Sequence, residues 1–162
     1  MKKFGIFILN LLEIYIPLST FIIMFLVFIL QIFYRYILNN PLSWTYEVTV
    51  LGFLWTTLLG ACYVRRIHSH ICFDMAYQNR SEKVKIIFRL TGNTIVIIGC
   101  LIGVFPTYQY LLDMSIEKTA VLRIPLSFGF LPAFVFIILI TGYSIYDVVL
   151  DVVKFKKGAF KE

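Results

Sequence analysis

The sequence has few of the residues from which catalytic, metal and disulfide sites are built. Among 162 residues it contains 3 cysteines and 2 histidines, with 9 acidic residues against 15 Lys and Arg. It contains no CxxC pair, Walker-type glycine loop or zinc-protease helix motif. The cluster of His68, His70 and Cys72 has no further histidine elsewhere to complete a metal or haem site. We therefore predict no catalytic residue, no metal site and no enzymatic activity.

The sequence is rich in apolar residues. It is 60% hydrophobic and 17% aromatic, with a mean hydropathy of +0.86, which is far above the values of soluble domains. A helix needs about 20 apolar residues to cross a bilayer core of about 30 Å. Four such segments predict an all-α integral membrane protein with one domain, 1–162. The predicted spans are 12–34, 45–64, 88–111 and 125–146, separated by an outer hairpin 35–44, an inner loop 65–87 and an outer loop 112–124, and followed by a tail 147–162.

The basic residues predict the orientation of this domain. All but three of the 15 Lys and Arg lie at the two chain ends or around the middle connector, and the three exceptions are Arg35, Lys118 and Arg123. Positively charged segments stay in the cytoplasm, so we expect both termini inside and the first and third connectors outside. Membrane orientation thereby accounts for the net charge of +6, and nucleic-acid binding is not predicted.

The connector between the first two spans contains residues with specific structural roles, which a passive linker would not need. Asn39 and Pro41 predict a turn, Ser43 is placed to cap the next helix, and Trp44 is placed at the membrane interface.

Two opposite charges flank this turn. Arg35 ends the first span and Glu47 lies in the first turn of the second, so a tight hairpin is expected to bring them within ion-pair distance. The alternative is that each binds a partner protein directly.

Three polar residues fall within or beside apolar segments, where each is costly unless it faces protein or reaches the interface. Glu13 suggests a proton-coupled site, but its place before the main apolar run favours a position near the inner interface. Arg89 is expected to extend toward the inner surface, and Asn93 to form hydrogen bonds across helices.

Small residues recur every fourth position on the second and third spans and predict faces where helices approach closely. They are Gly52, Thr56 and Gly60 on the second span and Gly99 and Gly103 on the third.

Taken in order, these features resemble the small membrane (Q) subunit of tripartite ATP-independent periplasmic (TRAP) transporters, the DctQ-like family. The resemblance rests on Phe33, Arg35, Tyr36, Asn39, Pro41, Ser43, Trp44, Glu47, Leu59, Gly60, Ala61, Arg65, Arg66, His70, Asp74, Thr119, Leu122, Ile124, Pro125, Leu131 and Pro132. The sequence departs from the family pattern at Tyr46, where a second acid is common. It departs again at Ala120, Val121 and Arg123, which stand in place of the usual Pro, Ala and Gly.

The resemblance implies a sodium-coupled system for organic acids in the bacterial inner membrane. A large membrane (M) subunit would carry the sodium and substrate sites, and a periplasmic (P) protein would deliver the substrate. This chain, which needs no cofactor of its own, would enlarge the scaffold through its second and third spans, and its outer charges would help dock the P protein. The residues expected in these contacts are Arg35, Trp44, Glu47, Gly52, Thr56, Gly60, Gly99, Gly103, Lys118 and Arg123.

The resemblance also includes a set of charged and polar residues after the second span. These residues, expected to contact membrane lipids or to serve a structural role, are Arg65, Arg66, His70 and Asp74. The substrate is not specified by this chain. The alternatives are a stand-alone proton-coupled exporter, which depends on Glu13, and a four-helix membrane enzyme.

Overall fold

The computed structural model describes the backbone of residues 2–67 and 82–156, with side chains over 5–67 and 86–153. The described residues are helical apart from short connectors, and the nearest feature to a strand is one isolated β-bridge between Lys118 and Pro125. The helices are α1 (Lys2–Asn10), a π-helical turn (Leu11–Tyr15), α2 (Ile16–Tyr36), α3 (Ser43–Arg66), α4 (Glu82–Asp113) and α5 (Leu126–Lys156).

Four helical segments are long and apolar enough to span a membrane, which confirms the predicted all-helical membrane architecture. They are Gly5–Tyr36, Ser43–Arg66, Ile86–Asp113 and Leu126–Val153. The first combines most of α1, the π-helical turn and α2 in one continuous rod. The cytoplasmic placement of both termini stays a prediction.

The π-helical turn has a local cause in Pro17. Proline has no N–H, and in an α-helix its ring would clash with the carbonyl four residues earlier, which belongs to Glu13. The helix instead forms one wider turn, in which the Ile16 N–H donates to the Leu11 carbonyl five residues earlier. Such a turn carries one extra residue, and here it contains the buried Glu13.

The helices form an open row rather than a closed bundle. α3 packs against α2 on one side and α5 on the other, and α4 packs against α5, which gives the order α2, α3, α5, α4. The buried hydrophobic residues are correspondingly few: Leu59, Cys62, Ile86 and Ile140. Because each helix leaves a broad apolar face uncovered, the surroundings of this chain must be lipid or other protein.

The turn between α2 and α3 matches the sequence in one respect and not in another. Asn39 adopts the left-handed region with φ 50°, as expected for a turn asparagine. The prediction that Ser43 caps α3 is wrong. The residue with extended backbone angles at the N-cap position is Leu42, Ser43 is already helical, and no side chain caps the end.

Candidate functional site

Three side chains on α5 stand one above another and form the rungs of a polar ladder. Tyr143, Asp147 and Asp151 are spaced four residues apart, which places them on one face of a helix. Each reaches a charged residue on another helix. The ladder is defined by these three rungs and their partners.

The first rung joins the π-helical turn, α3 and α5. Glu13 is only 1% exposed, accepts a hydrogen bond from the Tyr143 hydroxyl, and pairs with Arg66, whose Nε lies 2.9 Å from its Oε2. Arg66 also donates from Nη2 to Asn10 Oδ1 over 2.8 Å. A buried carboxylate is tolerated when it is paired and hydrogen-bonded in this way. Glu13 therefore fixes the first helical rod to two others.

The second rung joins α3, α4 and α5. Arg65 Nη2 lies 2.9 Å from Asp147 Oδ2, 2.5 Å from Asn93 Oδ1 and 3.4 Å from Ser144 Oγ. The expectation that Asn93 bonds across helices is confirmed. One guanidinium thus gathers three helices at one point.

The third rung joins α4 and α5. Arg89 meets Asp151 in a bidentate pair, with Nη2 2.5 Å from Oδ1 and Nε 3.2 Å from Oδ2. The expectation that Arg89 simply extends toward the surface misses this partner. Its side chain is 45% exposed, while that of Asp151 is 7% exposed.

The first helical rod and α4 lie at opposite ends of the row. The ladder links both of them to the two central helices, α3 and α5. Sequence reasoning identified five of its members and missed its three α5 residues. The predicted fourth span ended at residue 146, which assigned Asp147 and Asp151 to a tail. The overlooked signal was the i, i+4, i+8 spacing that begins at Tyr143.

The contacts of the ladder are those of a structural assembly. In the described part of the chain no three His, Cys, Asp or Glu side chains are placed to hold a metal ion. The three ladder acids each face an arginine. Arg65 and Arg66, expected to serve lipid or structural roles, have structural partners, and His70 and Asp74 lie outside the described residues.

Glu47 lies near the other end of the helices, away from the ladder, and organises the connector between α4 and α5. Its Oε1 accepts the Val121 N–H over 2.8 Å and its Oε2 accepts the Leu122 N–H over 2.9 Å. The expected ion pair with Arg35 is therefore not formed, and the Arg35 guanidinium instead lies 5.6 Å from the ring centre of Tyr36. Two adjacent backbone N–H groups match the two carboxylate oxygens, so Glu47 ties the α4–α5 connector to α3.

This connector is a compact turn rather than a loose loop. The Thr119 N–H bonds the Ile124 carbonyl over 2.9 Å, and the Ile124 N–H returns to Thr119 Oγ1 over 3.1 Å. Between them Arg123 adopts φ 54°, a conformation that glycine takes without strain. Lys118 and Arg123 are exposed, and Trp44 is partly buried.

We expect Glu47→Gln to loosen this connector because an amide has one oxygen acceptor where the carboxylate has two. Hydrogen exchange should become several times faster at the Val121 and Leu122 amides. Glu117→Gln is the control, since Glu117 is exposed on the same connector. Equal exchange in both variants would contradict the role given to Glu47.

The small residues predicted to pack behave differently from one another. A Cβ on Gly52 would lie 2.8 Å from the Met24 Cβ, which marks a close approach of α2 and α3. Thr56 shares a hydrogen bond of 3.0 Å with Thr20 across the same interface.

The other predicted positions are less closely packed. A Cβ on Gly103 would make ordinary contact with Ile137, 3.9 Å away, whereas none would meet an atom within 4 Å at Gly60 or Gly99. The structure therefore brings together part of the predicted set and leaves these two open.

A comparison with protein families decides what this assembly belongs to. The family model of the DctQ component of tripartite ATP-independent periplasmic transporters matches residues 24–154. The chain belongs to the DctQ family. The predicted resemblance is thereby confirmed, and the protein is the small membrane component of a TRAP transporter. A comparison with curated proteins gave no match.

The DctQ match covers the α4–α5 connector and the second and third rungs of the ladder. Glu13 and the π-helical turn precede its first residue, 24. The family is one of transporter components and not of enzymes, and it works with a large membrane subunit and a substrate-binding protein.

Proposed function

We propose that this DctQ-family subunit enlarges the membrane scaffold of a sodium-coupled TRAP transporter for organic acids and helps dock its periplasmic binding protein. The M subunit would carry the sodium and substrate sites. The observation that carries this proposal is an open helical row, internally fixed by a polar ladder, in a chain of this family. We place it in the bacterial inner membrane with both termini cytoplasmic.

Support for the scaffold role comes from the uncovered faces of α3 and α4. Gly60 and Gly99 have open space where a side chain would begin, and the exposed α4 residues include Ile95, Ile102 and Phe105. Helices in lipid associate through close van der Waals packing, for which small residues leave room. The M subunit is the partner expected on these faces.

The arrangement of acids supports a subunit that does not transport alone. A proton-coupled exporter would use Glu13 as its binding carboxylate, but this group is held by Arg66 and Tyr143 at the junction of three helices. Its contacts are those of a structural group. We accordingly do not propose the exporter.

Support for a docking role comes from the charge of the outer connector. Lys118 and Arg123 are exposed on a turn that Glu47 ties to α3, so they form a fixed basic patch. We expect an acidic surface on the binding protein, with an affinity that falls as ionic strength rises.

Arg123→Asn tests this patch without disturbing the turn, because asparagine tolerates the left-handed region. We expect association with the binding protein to slow by about threefold to tenfold at low salt, as for the loss of a rim charge. Arg123→Lys keeps the charge and is the control. An unchanged association rate in Arg123→Asn would exclude this residue from docking.

The scaffold role is tested by transport in vesicles. M subunit and binding protein are reconstituted with and without this chain, and sodium-driven uptake of the organic acid is measured. We expect uptake to require this chain. A full rate in its absence would refute the scaffold role.

A further inference from the structure

An apolar groove runs along the side of the first helical rod where it meets α3. It encloses about 300 Å³ and is lined by Ile14, Pro17, Leu18, Phe21 and Thr56. Glu13 and Tyr63 close one end of it. Leu18 and Phe21 are 55% and 45% exposed, so the groove opens sideways to the surroundings of the helices.

The groove is long enough to hold part of a lipid acyl chain. From Glu13 to Phe21 the groove is about 12 Å long at 1.5 Å per residue. An open apolar groove of this length can hold part of an extended hydrocarbon chain.

A positive charge stands at the closed end. Arg66 contacts both groove residues there: its Nε pairs with Glu13, and its guanidinium lies 5.4 Å from the ring centre of Tyr63. The hydrogen bonds and ion pair found for Arg66 use Nε and Nη2. The side chain is 22% exposed, and Nη1 is thus available to an anion.

The position of Arg66 along the helix matches the depth of a lipid headgroup. It is the last residue of α3 and of the apolar segment Ser43–Arg66, so it lies at a membrane boundary. Arginine binds phosphate through its planar array of N–H donors. Charge and apolar lining thus occur in the order in which a phospholipid presents its phosphate and its acyl chain.

A second groove, between α2 and α3, lacks this combination. It encloses about 210 Å³ and is lined by residues that include Met24, Leu51, Trp55 and Phe128, with no charged side chain. An apolar groove alone does not specify its occupant.

We propose that the groove beside the π-helical turn binds one anionic phospholipid, with an acyl chain along Leu18 and Phe21 and the phosphate on Arg66. The site goes beyond the scaffold role and does not depend on it. It gives Arg66 two functions, because the same guanidinium holds Glu13 inside the protein and a lipid phosphate outside.

The test is retention of lipid by the full-length chain after extraction from vesicles of equal parts phosphatidylglycerol and phosphatidylcholine. Leu18→Trp fills the groove, and Leu26→Trp is the matched control because Leu26 lies on the same helix, outside the groove, and is 60% exposed. Native mass spectrometry should show one more bound phospholipid on wild type and Leu26→Trp than on Leu18→Trp. Equal retention by all three proteins would overturn the proposal.

The headgroup is tested separately with Arg66→Lys, which keeps one cationic nitrogen for Glu13 but removes the nitrogen, Nη1, that is assigned to the lipid. Wild type should prefer phosphatidylglycerol about fivefold, as expected for one basic contact at the membrane surface. The variant should lose that preference because its single ammonium group is paired with Glu13, and a preference retained in full would contradict the role of Arg66 in selecting an anionic headgroup.

The identity of the occupant is tested in native membranes with a photo-crosslinking amino acid at position 18. An adduct with the mass of a phospholipid supports the proposal. An adduct with a protein in place of lipid would overturn it.

Discussion

Replacing Glu13 with glutamine should lower the free energy of unfolding by about 3 kcal/mol, the usual cost of removing one member of a buried ion pair. Glu13 is fully buried and holds Arg66 and Tyr143 on two other helices. Glutamine keeps the size of the side chain but leaves Arg66 without its counter-charge. The expected result is an earlier unfolding transition in a denaturant titration of the purified, detergent-solubilised chain.

Glu117→Gln is the matched control, because it makes the same chemical change on an exposed residue and should alter stability by less than about 0.5 kcal/mol. A double-mutant cycle with Arg66→Met then isolates the pair. We expect the two changes to be strongly non-additive, since Arg66→Met removes the charge that Glu13 balances. A coupling energy near zero would show that the pair does not stabilise the fold.

Gly52→Ala should cost about 2 kcal/mol by overpacking the interface between α2 and α3. The added Cβ would lie 2.8 Å from the Met24 Cβ and 3.5 Å from the Thr20 carbonyl oxygen. These atoms lie on or next to the backbone, so the clash cannot be relieved by turning the end of a side chain. The helices must move apart, which also strains the hydrogen bond between Thr20 and Thr56.

Gly60→Ala provides the control for this change on the same helix. Nothing lies within 4 Å of its added Cβ, and alanine favours a helix over glycine by up to about 1 kcal/mol. Thermal unfolding of the isolated chain should therefore show a loss for Gly52→Ala and no loss for Gly60→Ala. In the transporter, Gly60→Ala should weaken association with the M subunit if that face is covered. Equal stability of the two variants would contradict the close approach at Gly52.

The helices were predictable because membrane spans depend on local composition. Each needs only a long apolar segment, and the backbone satisfies its own hydrogen bonds within the segment. The Asn39 turn was predictable for the same reason, since its conformation depends on one residue.

The partners of the charged residues were not predictable in this way. Glu47 was expected to meet Arg35, twelve residues earlier, and binds instead to Val121 and Leu122. Arg66 binds Glu13, 53 residues away in the sequence. Such contacts depend on which helices become neighbours. The apolar composition of a segment does not indicate which of its faces contacts another helix.

By itself, the sequence determined that this protein lies in a membrane, that it has four spanning helices and that it belongs to its family. Composition, segment length and the order of short motifs are properties of the chain alone. The tertiary structure decided the order of the helices in the row and the ladder that joins them. It also decided that Glu47 anchors the α4–α5 connector. It also decided that Gly52 is enclosed while Gly60 and Gly99 are open. The physical reason is that an ion pair or a close contact requires two groups within a few ångströms, and only the packed helices set that distance.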